Sequence, residues 1–569
     1  MSELARRLAG ELVRAGVRHA FGVAGSGISY DLIACLAELG VPYYPAAHEA
    51  AAALMAGACG RDGRLRAAAI GIKGPGLANF VPGMLANRYE ARAALTVSES
   101  YPSAAPAYAM HKRADHAALA SAAAKGYARL DRELRVVGSL AELAARETPG
   151  PVHLDIAEEP EDAAGVRCFS AVGSGLPACG EPGEPGEAAG SDGGRRALER
   201  ALEAVRRSER PAIVLGSVAA RRLGSFRWDR IGVPVLTTAA AKGCVDERSD
   251  FYGGIVTGEI AKLSPERSVL READLVVGIG LRNTEVVRTA LTEAEIVIAD
   301  HAAPGLNAGF GASAVAHADD LEAACAELAE ALSAKSWGAE YLRTYWRDVD
   351  RELFRGSWLP AAALRETQER LEGKETILTA DTGLFCTVAE TVWKARRPFE
   401  YCGSGNGRFM GISVPSAIGL AVAHPNATVV CVAGDGGIRP YLAELKLAVA
   451  CKLRLVVLYM TDGGYGSIRR ATASRTVGGV PTGGRPETGR PETGRPGAGM
   501  PPGGHPAEIA DSSWYRPMAA LGWEAARAES VRQLRRALAR IDPDRMEAPF
   551  FLELAFDKAR YTSMTVNLR

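Results

Sequence analysis

What this chain lacks bounds it before what it contains does. Its 569 residues carry no net charge, 67 basic side chains standing against 67 acidic ones, so nothing electrostatic points to a nucleic-acid or membrane partner. A run of about 18 apolar residues is absent, which removes a membrane-spanning helix from consideration. The segment Met1-Ser2-Glu3-Leu4-Ala5-Arg6-Arg7 leads straight into a helical pattern of Leu8, Leu12 and Val13, with no apolar leader or small-residue cleavage site. Ten cysteines contain no CxxC pair, so neither a metal cluster nor a disulfide framework is expected and a reducing cytoplasm is the default. Two stretches are almost without apolar side chains. One, between Gly173 and Gly194, is dense in glycine, proline and acid and reads as a linker that cannot bury enough to fold alone. The other, residues 478–505, holds the tandem repeat Arg485-Pro486-Glu487-Thr488-Gly489 and Arg490-Pro491-Glu492-Thr493-Gly494, which predicts a loop outside the core, either a lid or an expansion with no catalytic role.

What remains is apolar enough, at 47%, for several buried parallel sheets, and its length fits three domains of ordinary size. Apolar runs alternate with helical patterns throughout, the mark of doubly wound α/β domains. The first is expected over 1–165, with strands at Phe21-Gly22-Val23, Val41–Tyr44, Ala69–Ile72, Ala94–Val97 and Pro151–Ile156. After a linker at 166–194 comes the second, 195–340, with strands at Ala212–Leu215, Val233–Leu236, Leu275–Gly278 and Ile296–Ile298. Its Gly278-Ile279-Gly280 is only a fragment of a dinucleotide fingerprint. The third, 341–569, holds the strand and turn Thr376–Gly383 and the low-complexity loop.

That third domain carries the most specific signal. Val429–Ala433 reads as a buried strand running into Gly434-Asp435-Gly436-Gly437, a turn where glycine lets the backbone approach a ligand. Leu442, Leu445 and Val449 mark one face of a following helix, and Leu455–Leu458 marks a strand ending in Thr461-Asp462-Gly463-Gly464-Tyr465-Gly466. Strand ends of a βαβ unit share one sheet edge, so Asp435 and Asp462, 27 positions apart, are placed to meet around a hard cation that favours phosphate oxygens. Taken singly, the motif is equally a Gly-rich turn of an ordinary sheet.

These residues resemble the Mg²⁺-diphosphate motif of thiamin-diphosphate (ThDP) enzymes of the acetolactate synthase, pyruvate oxidase and benzoylformate decarboxylase-like family. The resemblance implies three metal ligands: Asp435, Asp462, where the family usually has asparagine, and the Gly464 carbonyl. An aspartate there keeps the oxygen ligand and adds a negative charge. It implies cofactor contacts at Gly434, Gly436, Gly437, Tyr465 and Gly466, and at Thr382 and Gly383 in the strand-and-turn segment. Four further stretches follow the family order. His48-Glu49 opens a small-residue helix, and Glu49 takes the place of the glutamate that bonds the cofactor pyrimidine and promotes the C2 ylid. Phe21-Gly22-Val23-Ala24-Gly25-Ser26-Gly27 resembles the first strand and turn, with Gly25 against the cofactor. Gly74-Pro75-Gly76-Leu77-Ala78-Asn79 resembles the loop over the cofactor and implies contacts from Gly74, Pro75, Gly76 and Asn79, with Lys73 where a small hydroxyl residue is usual. Met410–Gly419 resembles the segment whose large apolar residue, here Met410, wedges beneath the cofactor.

The implied activity is ThDP- and Mg²⁺-dependent decarboxylation of a 2-oxo acid through a C2 ylid and an enamine, which then meets a proton (decarboxylase) or a carbonyl acceptor (carboligase). His111 and His116, in Tyr108–His116, are candidates for proton transfer and are equally surface histidines. In the family Glu49 of one subunit and the metal site of another share a cofactor, which implies a homodimer or a dimer of dimers. The central domain holds FAD in some members, ADP in others and nothing in many; no nucleotide is expected here. An FAD-containing pyruvate oxidase-like oxidoreductase and a non-catalytic ThDP-fold binding protein stay open as alternatives.

Overall fold

Three sheets of seven, six and six strands, parallel but for one edge strand of the first, carry the architecture of the computed structural model. It describes residues 2–102, 104–106, 108–130, 134–157, 168–169, 191–258, 261–282, 285, 294–300, 314–317, 320–356, 358–472, 476–477, 480–481, 507–509, 513–565 and 567–568. Most of the expected linker and of the low-complexity loop lies outside these residues. No described helix is long and apolar enough to cross a membrane.

The first sheet is built from β1 (His19–Gly22), β2 (Tyr43–Pro45), β3 (Ala67–Gly71), β4 (Ala94–Glu99), β5 (Gly126–Arg129) and β6 (Pro151–Ile156), with β7 (Cys168–Phe169) added antiparallel to β5. The second holds β8 (Pro211–Leu215), β9 (Val235–Thr237), β10 (Tyr252–Ile255), β11 (Leu275–Ile279), β12 (Glu295–Asp300) and β13 (Ala314–His317). The third holds β14 (Thr376–Ala380), β15 (Tyr401–Gly403), β16 (Thr428–Gly434), β17 (Leu455–Thr461), β20 (Glu524–Ala528) and β21 (Phe550–Ala555); β18 (Thr476–Val477) and β19 (Val480–Pro481) form a separate hairpin. β3, β4, β8, β11, β16 and most of β17 are buried along their length, because helices cover both faces of a parallel sheet and its strands become continuous apolar runs.

Strand order separates the middle sheet from its neighbours. The order β2-β1-β3-β4-β6-β5 in the first sheet recurs as β15-β14-β16-β17-β21-β20 in the third, whereas the second runs β10-β9-β8-β11-β12-β13. The outer domains are therefore two copies of one topology, and each presents the carboxyl ends of its central strands as a site. A small-residue helix from each makes their contact: Glu49–Cys59 packs against Ser413–Ala423. Gly419 permits it, since a Cβ there would stand 2.4 Å from the Met55 carbonyl oxygen.

The helix expected after Asp435 is not continuous. A short helix Asp435–Ile438 gives way to a 3-10 segment Arg439–Glu444 with Tyr441 at φ −129°, and helix resumes over Leu445–Ala450. Pro440, which lacks an N–H and restricts the residue before it, accounts for the break.

Candidate functional site

Asp435 starts its short helix at the end of β16, beside the end of β17 because Gly434 pairs with Met460 in the parallel ladder. Its carboxylate gathers the second half of the motif. The Tyr459 and Thr461 hydroxyls donate to Oδ1, each at 2.6 Å, and the backbone N–H groups of Asp462, Gly463 and Gly464 donate to Oδ2 at 3.1, 3.2 and 3.2 Å. Burial and the adjacent Asp435 charge push the Tyr459 phenol well above its ordinary range, so it stays a donor. The two aspartates that the spacing brings to one sheet edge are thus joined through the Asp462 amide.

Asp462 differs from the simple expectation of an added charge. Arg469 Nη1 donates to its Oδ2 at 2.5 Å, and Arg469 Nε reaches Glu508 at 3.2 Å. Burial raises the Asp462 carboxyl above its ordinary value, and the guanidinium opposes that rise. The loop is closed by chain from beyond the low-complexity repeat: Tyr465 N–H donates to Ala507 O at 2.8 Å and Ile509 N–H to Gly463 O at 3.0 Å. Gly464 has no room for a side chain, a Cβ lying 2.3 Å from Ala507 O and 2.5 Å from Arg469 Nη2. Neither Arg469 nor the 507–509 segment was legible beforehand, since each comes to the motif only through a turn of helix or a returning loop.

Met410, Gly436 and Tyr465 converge. A Cβ on Gly436 would lie 2.6 Å from both Met410 Sδ and the Tyr465 ring, and Met410 is 46% exposed. Asp381, absent from the sequence-based candidates, accepts N–H groups from Thr382 (2.8 Å) and Gly411 (2.9 Å) and the Ser413 hydroxyl (3.0 Å). Full burial lifts its carboxyl to about 6. A Cβ on Gly437 would stand 2.7 Å from Asp381, so that glycine is required by the carboxylate beside it. Gly383 precedes the helix Leu384–Val392, and Gly466 begins Gly466–Thr472.

In the first domain Glu49 opens its helix, capped by His48, whose Nδ1 accepts the Ala50 N–H at 3.0 Å. The Ala47 and His48 N–H groups donate to Glu444 at 3.0 Å, tying this turn to the third domain. Glu49 is 7% exposed, Asn79 Nδ2 donates to its Oε2 at 2.9 Å, and its Oε1 lies 3.7 Å from where a Cβ on Gly76 would be. The Gly74-Pro75-Gly76 loop and Asn79 after it thus lie beside Glu49. Gly74, at φ +64°, precedes the helix Pro75–Tyr89, and a Cβ there would collide with Lys112 O. Gly25 sits against Ile72 and Glu99, and Glu99 also accepts from Ser29 and pairs with Lys73 at 3.2 Å.

The two histidine candidates part company. His111 is exposed, and its carbonyl accepts from the Tyr101 hydroxyl. His116 is buried and faces inward: Nε2 accepts the Gly74 N–H at 2.9 Å and Nδ1 lies 2.7 Å from Asp155 Oδ1. Both ring nitrogens of His116 are engaged within the protein, so the side chain tethers the Gly74 turn to Asp155. Burial raises the Asp155 carboxyl, but the hydrogen bonds from His116 and His153 outweigh this and hold it well below the ordinary range. His116, His153 and Asp155 bring three ligand atoms within 4.8 Å of one another, and they hydrogen-bond to one another and to the Gly74 amide.

The donor set suits the implied groups. Two carboxylates beside glycine-only backbone match a hard cation carrying phosphate, and a buried carboxylate with one oxygen bonded by Asn79 suits a pyrimidine nitrogen.

Comparison with known proteins finds three matching domain models in chain order. Residues 2–119 match the family model described as thiamine pyrophosphate enzyme, N-terminal TPP binding domain; residues 198–328 match its central domain and residues 381–554 its C-terminal TPP binding domain. The chain is 26% identical over 486 residues to a catabolic acetolactate synthase of Raoultella terrigena, covering 80% of this chain and 82% of that one. It is 26% identical over 515 residues to an acetolactate synthase large subunit of Parasynechococcus marenigrum, covering 83% and 79%. Over 322 residues, 48% of each chain, it is 26% identical to a 3D-(3,5/4)-trihydroxycyclohexane-1,2-dione hydrolase of Shouchella clausii.

Proposed function

Because the chain belongs to the thiamin-diphosphate-dependent enzymes of the acetolactate synthase-like family, we propose that it is a Mg²⁺-dependent decarboxylase or carboligase of a 2-oxo acid. The observation that supports this reading is Asp435, whose carboxylate accepts the N–H groups of Asp462, Gly463 and Gly464 and so holds the two halves of the motif together. Asp435, Asp462 and the Gly464 carbonyl would hold the cation, and Gly434, Gly436 and Gly437 would admit the diphosphate. ThDP, when bound, supplies a carbon centre to which a 2-oxo acid adds and which stabilises the negative charge left by loss of CO₂.

The chain's own residues supply placement and proton control. Glu49 would hold a proton at the pyrimidine, its geometry fixed by Asn79; the Gly74–Gly76 loop would exclude water above it; Met410 would support the cofactor from the other side. Contacts of Glu49 come from Gly71, Gly76 and Asn79, and those of Asp435 from β17 and the loop after it. The two half-sites would meet between two copies of the chain. Exposed Tyr108, Met110 and Met410 on loops, and Ile468 on the helix Gly466–Thr472, fit a face covered by a second copy.

The central domain is read without flavin. At its switch point between β8 and β11 the Ser217 N–H is already donated to Glu285 at 2.8 Å and Arg282 is already paired with Asp300 at 2.5 Å, so these donors are taken before any diphosphate arrives. Calorimetry of the cofactor-stripped chain is expected to detect ThDP binding only with Mg²⁺, and mass spectrometry to detect an aldehyde or a ligated product from a 2-oxo acid panel. No ThDP binding, or flavin absorbance in the purified protein, would sink the reading.

A further inference from the structure

We propose that Arg469 is the built-in counter-charge of the diphosphate loop, cancelling the charge of Asp462 so that this aspartate acts as a net-neutral oxygen donor. The inference rests on the ThDP and Mg²⁺ reading above and concerns how this chain tolerates a carboxylate at that position.

Asp462 is nearly sealed from solvent, its side chain 2% exposed, and Arg469 lies over it at 12%. The guanidinium comes from the helix Gly466–Thr472, with the Arg469 N–H bonded to Tyr465 O at 2.9 Å. Nη1 engages Asp462 Oδ2, and Nε engages Glu508 Oε1. Nη2 is buried with no acceptor, packed on the Gly464 backbone where a Cβ would lie 2.5 Å away. Glu508 in turn pairs with Lys558 at 2.5 Å. Around the loop, Asp435, Asp462 and Glu508 thus face Arg469 and Lys558.

Without Arg469, three carboxylates would face one ammonium where the diphosphate's negative charge enters. Buried like charges are costly, and removing one partner of a buried pair exposes the full cost. With Arg469 in place, one carboxylate oxygen is neutralised by a guanidinium, and the side chain presents to a cation what an amide would: an oxygen without net charge. The Gly464 position, the returning Glu508 and the seven-residue reach from Asp462 to Arg469 all serve this placement.

The test is a double-mutant cycle read by calorimetry of ThDP binding at saturating Mg²⁺, on the full chain stripped of cofactor. Four proteins are compared: the parent, Asp462→Asn, Arg469→Gln and the double variant. Arg469→Gln is expected to weaken ThDP binding about tenfold or more, and the same change in the Asp462→Asn background to alter it by less than about threefold. Equal losses in both backgrounds would overturn the inference, because Arg469 would then act independently of the Asp462 charge. If Arg469→Gln does not fold, the double variant is expected to fold, since the charge needing compensation is gone; a double variant that also fails to fold overturns the inference. A parent chain that binds no ThDP at any Mg²⁺ concentration overturns the cofactor reading itself and this inference with it. An intact parent with an additive cycle removes only the role given to Arg469.

Discussion

At the scale of single residues, identity and environment diverge most at the histidines. His116 resembles a proton carrier in sequence because an imidazole titrates near neutrality, yet it holds the Gly74 amide from behind and is itself held by Asp155. Replacing it with leucine leaves a buried N–H without an acceptor and a buried carboxylate without one of its donors. His116→Leu is expected to lower unfolding stability by about 2–4 kcal/mol in denaturant titration. His116→Gln, able to accept from Gly74, is expected to recover part of that loss. Wild-type stability in the leucine variant would show that the tether carries no load. Glu49→Gln is the chemical counterpart: it is expected to keep ThDP binding within a few-fold and to lose C2-proton exchange by about 100-fold or more, measured by deuterium exchange of the bound cofactor.

At the scale of elements, periodicity and glycine place strands and turns well and helix continuity poorly. Pro151–Ile156 and Thr376–Ala380 appear where the apolar alternation puts them. Gly126–Arg129, Tyr252–Ile255 and Glu524–Ala528 escape notice because they are short or carry few branched apolar residues. The apolar face through Leu442, Leu445 and Val449 suggests one helix, but Pro440 and the approach of Glu444 to the Ala47 and His48 amides divide it. The helix pair Glu49–Cys59 and Ser413–Ala423 is the joint on which both half-sites ride. Gly419→Ala would drive a methyl against the Met55 carbonyl, and it is expected to cost about 1–3 kcal/mol, rising further for Gly419→Leu, as read from thermal unfolding. An alanine variant as stable as the parent would mean that the helices separate at no cost.

At the scale of the whole molecule, the first and third domains also meet through Arg61, which donates to His424 Nε2 at 3.0 Å and to the Phe399 carbonyl. Burial and the neighbouring Arg61 charge depress the His424 imidazole to about 4. The folded protein thus binds this proton less readily than the unfolded chain, so the contact's stability is present above the ordinary value of about 6.5. It is lost as pH falls from there toward 4. Because His424 is partly exposed, the expected loss is on the order of 1 kcal/mol. Unfolding midpoints measured from pH 7 to pH 4 should fall, and His424→Gln should flatten that part of the slope; an unchanged slope would detach the pH response from this joint.

The sequence by itself determined three α/β domains and the pairing of Gly434–Gly437 with Asp462–Gly466, both written in local patterns of period, glycine placement and the spacing of strand ends across a βαβ unit; Glu49 and the Gly74 loop were singled out only by the family resemblance. Only the tertiary structure decided that the outer domains repeat one strand order, that Asp381 holds the Gly411 amide and the Ser413 hydroxyl, and that His116 faces inward. It also decided that Arg469 and the segment after the repeat loop close on Asp462. Those outcomes depend on contacts between residues far apart in the chain, or on which way a buried side chain turns to satisfy its hydrogen bonds, and no local pattern encodes either.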